Sequence, residues 1–104
     1  DISVIMQVYE NLLSNAMRYA KKKIEVTVDE EDDYLMLTVA DDGVGFTSKD
    51  LSNAMKPFYK AESEPNNEHF GMGLNICKTL CEKHGGYLQI LNENGAKVVA
   101  AFKE

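Results

Sequence analysis

The stretch Asn11-Leu12-Leu13-Ser14-Asn15-Ala16-Met17-Arg18-Tyr19 lies in a run where Ile5, Tyr9, Leu12 and Ala16 recur at spacings of three and four. That period places them on one stripe of an amphipathic helix, and it predicts a long helix over about residues 2–20. Asn11 and Asn15 are also four apart, so they stack on a neighbouring stripe with Arg18 one turn further on. Asparagine is a poor residue for a helix interior, because its amide competes for backbone hydrogen bonds. Two carboxamides and a guanidinium beside an apolar face therefore need a reason beyond helix formation.

Outward from this helix the period changes. Ile24, Val26 and Val28 alternate with Glu25, Thr27 and Asp29, the pattern of a half-buried strand. Leu35, Leu37 and Val39 alternate with Met36, Thr38 and Ala40, a second strand that ends at Asp41-Asp42-Gly43-Val44-Gly45. The short connection predicts a hairpin, with the acidic run Asp29 to Asp33 as a solvated turn. A short helix is expected after Ser48, with Ser48 as its N-cap. A polar loop follows from Pro57 to Phe70. Gly71-Met72-Gly73 then opens a second strong helix with Leu74, Cys77, Leu80, Cys81 and His84 on one side, stopped by Gly85-Gly86. Tyr87 to Leu91 and Val98 to Phe102 read as strands joined across Asn92-Glu93-Asn94-Gly95. Antiparallel hairpins covered by helices on one face make an α+β two-layer sandwich.

With 104 residues the chain suits one domain, and 44% hydrophobic residues suffice for a real core. A formal charge of -6 gives no basic footprint for nucleic acid or an anionic membrane. The sequence carries neither a signal peptide pattern nor an apolar run of membrane-spanning length. Cys77 and Cys81 are four apart in a helical pattern, a spacing that rarely meets disulfide geometry, so a reducing, cytoplasmic setting is the default. Neither has an obvious metal-binding partner set, and both read as core or surface thiols. His84 reads as a capping or packing residue at a helix end, and Lys21-Lys22-Lys23 suits the negative end of the first helix.

Three polar features remain. The Asn11/Asn15/Arg18 stripe is either a solvated helix face or a set of ligand contacts. A carboxamide near a core needs partners, since an unsatisfied one costs roughly 1–3 kcal/mol, and a magnesium ion with phosphate oxygens would supply them. Asp41-x-Gly43-x-Gly45 is either an ordinary turn or a place where backbone approaches a flat ligand while a carboxylate accepts from an exocyclic amine. Gly71-Met72-Gly73-Leu74 is either a plain loop-to-helix turn or an anion site on helix N-terminal amides. Each signal is weak alone.

Their order and spacing carry more. Asn11 to Tyr19 resembles the N box of the catalytic and ATP-binding domain of sensor histidine kinases, in the superfamily shared with gyrase, the ninety-kilodalton heat-shock chaperones and MutL. Asp41-Asp42-Gly43-Val44-Gly45 resembles its G1 box, Lys56-Pro57-Phe58-Tyr59-Lys60 its F box, and Gly71-Met72-Gly73-Leu74-Asn75-Ile76, running on to His84-Gly85-Gly86, its G2 box. The resemblance covers nearly the whole chain. It implies a mixed sheet with three helices on one face, and a histidine kinase ATP-binding catalytic domain over residues 1–104, trimmed at its N-terminus from a longer protein.

Carried over by position, the resemblance implies ATP and Mg2+ as cofactors. Asn15 would ligate magnesium, and Asn11 would help hold the phosphates. Arg18 and Lys60 would contact phosphate and assist transfer. Tyr19 would flank the base, and Asp41 would accept from the adenine amino group. Gly43 and Gly45 would let the chain turn against the purine. Phe58 and Tyr59 would anchor a lid running from about Ala61 to Phe70. Gly71 and Gly73 would be lid hinges and phosphate donors, with Met72 and Leu74 also among the nucleotide-binding residues. The implied activity is supply of the γ-phosphate for autophosphorylation of a histidine on a separate dimerisation domain of the same protein, with a response regulator downstream. The implied location is cytoplasmic, on a membrane-anchored parent.

Three departures accompany the resemblance. Asn75 replaces the third glycine of the G2 pattern. Asn11 stands where the ATP-hydrolysing relatives place a glutamate base, and an amide cannot take a proton from water, which argues for a kinase over an efficient ATPase. No phosphoacceptor histidine precedes the N box, and the family's first helix and strand are missing from the chain. That predicts exposed apolar surface and a free sheet edge suited to a homodimer. The competing readings are an anti-sigma-factor serine kinase and a non-catalytic nucleotide-binding interaction domain.

Overall fold

Two hairpins build the sheet. The computed structural model describes residues 2–53 and 70–103. They form helix α1 (Ile2–Tyr19), strands β1 (Ile24–Glu31) and β2 (Tyr34–Asp41), helices α2 (Ser48–Asn53) and α3 (Phe70–Lys83), and strands β3 (Tyr87–Asn92) and β4 (Ala96–Lys103). The sheet order is β1-β2-β4-β3, and every pairing is antiparallel. Helices α1 and α3 pack on one face, the expected two-layer α+β arrangement. The mixed sheet implied by the resemblance is not seen among the described strands.

Turn chemistry sets these boundaries. The acidic run is mostly strand, because β1 continues through Glu31 and only Asp32 and Asp33 form the turn, with φ of 49° and 69°. Two central residues at positive φ are a type I′ turn, whose twist matches that of the flanking strands. At the end of α3, the Gly86 amide donates to the Cys81 carbonyl at 2.8 Å and the Gly85 amide to the Glu82 carbonyl at 3.1 Å. With Gly85 at φ 74° this is a Schellman motif. His84 occupies the C-cap, and its carbonyl accepts from the Lys103 amide at 3.0 Å, tying the helix end to β4. At α2 the Leu51 amide donates to the Thr47 carbonyl at 2.9 Å. Thr47 is therefore the N-cap, and Ser48 is the first helical residue.

Val8, Leu12 and Ala16 of α1 meet Leu74, Cys77 and Cys81 of α3 over Leu37, Val39, Leu88, Val98, Ala100 and Phe102 of the sheet. A fully buried leucine such as Leu12 or Leu74 contributes roughly 1.5–3 kcal/mol by leaving water. The buried stripe of α1 is shifted from the predicted one. Val8 is its centre, while Ile5 and Tyr9 are only partly buried. The helix packs on both the sheet and α3, and α3 draws the buried arc toward the side bearing Val8 and Asn11.

The expectation of a half-buried β1 fails in one respect. Val26 and Val28 lie on the helix side of the sheet, in register with Val39 and Leu37, yet they are 40% and 61% exposed. Strand β1 is the outermost strand, and α1 and α3 lie chiefly over β2, β4 and β3. The outer edge of β1 is unpaired among the described residues. Among the same residues, no helix is long and apolar enough to cross a membrane.

Candidate functional site

The end of β2 carries a buried carboxylate. Asp41 shares its face with Leu37 and Val39, so the pleat turns it toward the helices, and it is only 9% exposed. A buried charge needs partners. The Asp41 Oδ1 accepts from the Gly43 amide at 2.7 Å and from the Ala96 amide at 3.4 Å. Among the described residues Oδ2 takes no hydrogen bond. One carboxylate oxygen is thus fixed by backbone, and the other remains able to accept from a ligand.

The loop after Asp41 is held at several points. A side chain at Gly43 would overlap the carbonyl oxygen of Tyr19 at the end of α1. This glycine therefore has a packing reason that the sequence did not disclose. Gly45 sits at φ 80°, where a Cβ would lie 2.7 Å from the Asn92 Oδ1. The Asn92 side chain grips Phe46 twice: its Oδ1 accepts from the Phe46 amide at 2.7 Å, and its Nδ2 donates to the Phe46 carbonyl at 2.8 Å. Asp42 points the other way. Its carboxylate accepts from the Lys21 amide at 2.8 Å and from the Lys22 amide at 3.0 Å, and its own amide donates to the Lys23 carbonyl at 3.2 Å. These amides, Lys22 foremost, hold the Asp42 carboxyl below its ordinary pKa.

On α1, Asn11 and Asn15 are half-buried, Arg18 is exposed in the last turn, and Tyr19 packs partly against the core. Glu10, beside them in sequence, faces solvent. The asparagine stripe therefore borders the α1–α3 seam. Its neighbour there is Cys77, whose thiol donates to the Val8 carbonyl at 3.9 Å. Burial, reinforced by Cys81, pushes the Cys77 thiol up to about 12, while hydrogen bonding from Asn11 opposes the rise. Burial and Glu82 push Cys81 up to about 11, against a hydrogen bond with the Ala101 backbone. Both are free, neutral thiols in the core; the spacing predicted the absence of a disulfide and left core or surface open. No group of three or more His, Cys, Asp or Glu residues is placed to hold a metal ion among the described residues.

Gly71, Met72 and Gly73 already lie within the first turn of α3, which begins at Phe70 and carries no acidic residue in that turn. Leu74 has a core role besides the one the resemblance implies. Its side chain is fully buried in the core, because it lies on the α3 stripe with Cys77 and Cys81. Phe58, Tyr59, Lys60 and the expected lid fall outside the described residues.

An open depression of about 380 Å³ lies elsewhere, on the sheet face away from α1 and α3, among Glu25, Thr27, Thr38, Ala40 and Lys97. Its lysines are paired with neighbouring carboxylates, Lys23 to Glu25 at 3.8 Å and Lys97 to Glu93 at 3.2 Å. Such exposed pairs are worth at most about 1 kcal/mol. Of the expected site residues that are described, only Asp41 borders it.

Residues 1–104 match the family described as histidine kinase-, DNA gyrase B-, and HSP90-like ATPase. Sensor protein SrrB of Staphylococcus aureus is 34% identical over 99 residues, which is 91% of this chain and 17% of that protein. The chain thus spans about a sixth of the length of the curated relatives it matches. The catalytic domain of histidine kinase ThkA superposes with a TM-score of 0.83 at 25% identity, over 99% of this chain and 69% of that one. The mycobacterial sensor histidine kinase MprB shares the fold, with a TM-score of 0.83 at 22% identity over 99% of this chain and 74% of that one.

Proposed function

Given that the chain belongs to the histidine kinase-, DNA gyrase B-, and HSP90-like ATPase family, as a catalytic domain of the sensor histidine kinase type, we propose that it binds Mg-ATP between α1, the loop after β2 and the start of α3. There it supplies the γ-phosphate to a histidine on a separate dimerisation domain of the same protein, for passage to a response regulator. The observation that carries this reading is Asp41. It is a carboxylate at a strand end, turned to the helix side, with one oxygen held by the Gly43 and Ala96 amides and the other able to accept from an adenine amino group.

The remaining roles follow from chemistry and position. Asn15 offers a neutral carboxamide oxygen, a suitable ligand for a hard cation. The chain provides no acidic cluster there among the described residues, so phosphate oxygens and water would complete the coordination. The donor set fits magnesium held jointly with nucleotide, and the ion, when bound, neutralises charge on the phosphates. Asn11, anchored against Cys77, presents its amide to phosphate, and Arg18 and Lys60 add positive charge where the phosphoryl group transfers. Tyr19 borders the base, while Gly43 and Gly45 shape the loop beneath it. By the resemblance Phe58 and Tyr59, outside the described residues, would anchor a lid. The amides of Gly71 and Met72 in the first turn of α3 have no acceptor within the helix and, with no acidic residue in that turn, suit a phosphate, with Gly73 beside them. Leu74 contributes by fixing α3 to the core. Catalysis is then mainly positioning and charge stabilisation.

Calorimetric titration of ATP, with and without magnesium, tests this against Asp41→Asn. An amide in place of Oδ2 donates instead of accepting, so affinity should fall about 10–100-fold, the weight of a hydrogen bond to a charged group. Equal binding by the two chains, or no binding by the unaltered one, would overturn the reading. Acid-labile phosphate on a supplied histidine domain would then identify the acceptor.

A further inference from the structure

We infer that Asn92 is a positioning residue of this site: by clamping the Phe46 backbone it holds the loop 41–46 in the arrangement that presents the Asp41 carboxylate. The inference rests on reading the pocket as a nucleotide site. Asn92 is the last residue of β3, and the sequence alone gave it no role beyond a hairpin turn. Its carboxamide satisfies the amide and the carbonyl of one residue at once, at 2.7 and 2.8 Å, across 46 positions of chain. Among side chains of this size only a carboxamide offers both an acceptor and a donor in that spacing.

Two further observations show that the loop is built around this clamp. Gly45 adopts φ 80° with no room for a Cβ against the Asn92 Oδ1, so the backbone turns where the asparagine sits. The same hairpin reaches the other end of the loop. The Ala96 amide donates to the Asp41 Oδ1, and Gly95 packs so closely on the Asp41 carbonyl that no side chain would fit there. The hairpin therefore holds Asp41 and Phe46 together, and the intervening glycines would be mobile without that support.

The test compares the unaltered chain with Asn92→Ala and Asn92→Asp. Two measurements are made: hydrogen exchange of the Gly43 amide, which donates to Asp41, and the ATP and GTP affinities in magnesium. In Asn92→Ala the Gly43 amide should exchange about tenfold faster while amides of α1 and α3 keep their protection. ATP affinity should fall about tenfold, the factor carried by one net hydrogen bond, and the preference for ATP over GTP should shrink. Asn92→Asp, which keeps the acceptor and loses the donor, should be intermediate. Unchanged Gly43 exchange, or a lower melting temperature with an unchanged ATP/GTP ratio, would overturn the inference. An unaltered chain that binds no ATP would sink the nucleotide reading and the inference's functional half with it, while exchange would still decide whether Asn92 orders the loop.

Discussion

Replacing Gly43 by alanine separates two reasons for a glycine in this loop. In the structure the added methyl would overlap the Tyr19 carbonyl oxygen and lie 2.9 Å from the Asp41 Oδ1 and 3.1 Å from the Tyr19 carbonyl carbon. The obstacle is backbone at the end of α1, so no rotamer change relieves it. Gly43 is not among the residues at positive φ, so the cost is steric and not torsional. Overpacking of this kind costs about 1–3 kcal/mol, and the stiffer unfolded chain returns about 0.4–1 kcal/mol. A net loss of about 1–2 kcal/mol lowers the melting temperature by roughly 4–16 °C in a domain of this size. Circular dichroism melts without nucleotide read that shift directly. A melting temperature unchanged within a degree would refute the packing argument, because the loop would then be free to move off α1. Ligand approach would be left as the glycine's only reason.

The remaining predictions concern the turn and the thiols. Exchanging Asp32-Asp33 for Asn-Gly should stabilise the chain by about 0.5–2 kcal/mol, since Asn-Gly suits a type I′ turn and two carboxylates at positive φ do not. A lower melting temperature would mean the turn is not of that type. The thiols set an alkaline limit. With folded values raised from 9.0 to about 12 for Cys77 and about 11 for Cys81, the unfolded chain loses these protons first, so stability is full below pH 9 and falls as pH rises toward 12. Substituting both by valine should flatten that limb in denaturant titrations. Iodoacetamide should label neither cysteine in the native chain at pH 8, and labelling at the rate of a free thiol would contradict their burial.

Most of the fold was legible because its signals are local. The period of α1, the alternation in β2 and the stop at Gly85-Gly86 each need only a few neighbouring residues. Strand β1 shows the limit: Val26 and Val28 alternate as a buried face would, but burial depends on whether a helix reaches the edge strand, which periodicity cannot report. Val8 was missed for a related reason, since α3 and not the sheet alone decides which arc of α1 is buried. In the site, Asp41 and the half-buried asparagines were readable as polar residues placed against apolar ones. Leu74 was readable as part of the α3 stripe with Cys77 and Cys81, while its motif position says nothing of which way the helix turns it. Asn92, the Asp42 grip on the lysine amides and the pairing of Asn11 with Cys77 were invisible, as each joins residues at least 20 positions apart.

Asn92, Glu93 and Asn94 are exposed at the outer end of the β3–β4 hairpin, while the same hairpin grips both ends of the loop beneath them. Two binding events that bias one shared element are linked reciprocally. On the proposed reading of the site, anything that holds the hairpin tip and shifts Asn92 would alter affinity at Asp41, and occupancy at Asp41 would alter that hold by the same factor. The tip would then be a place on the surface where the state of the pocket is sensed without entering it.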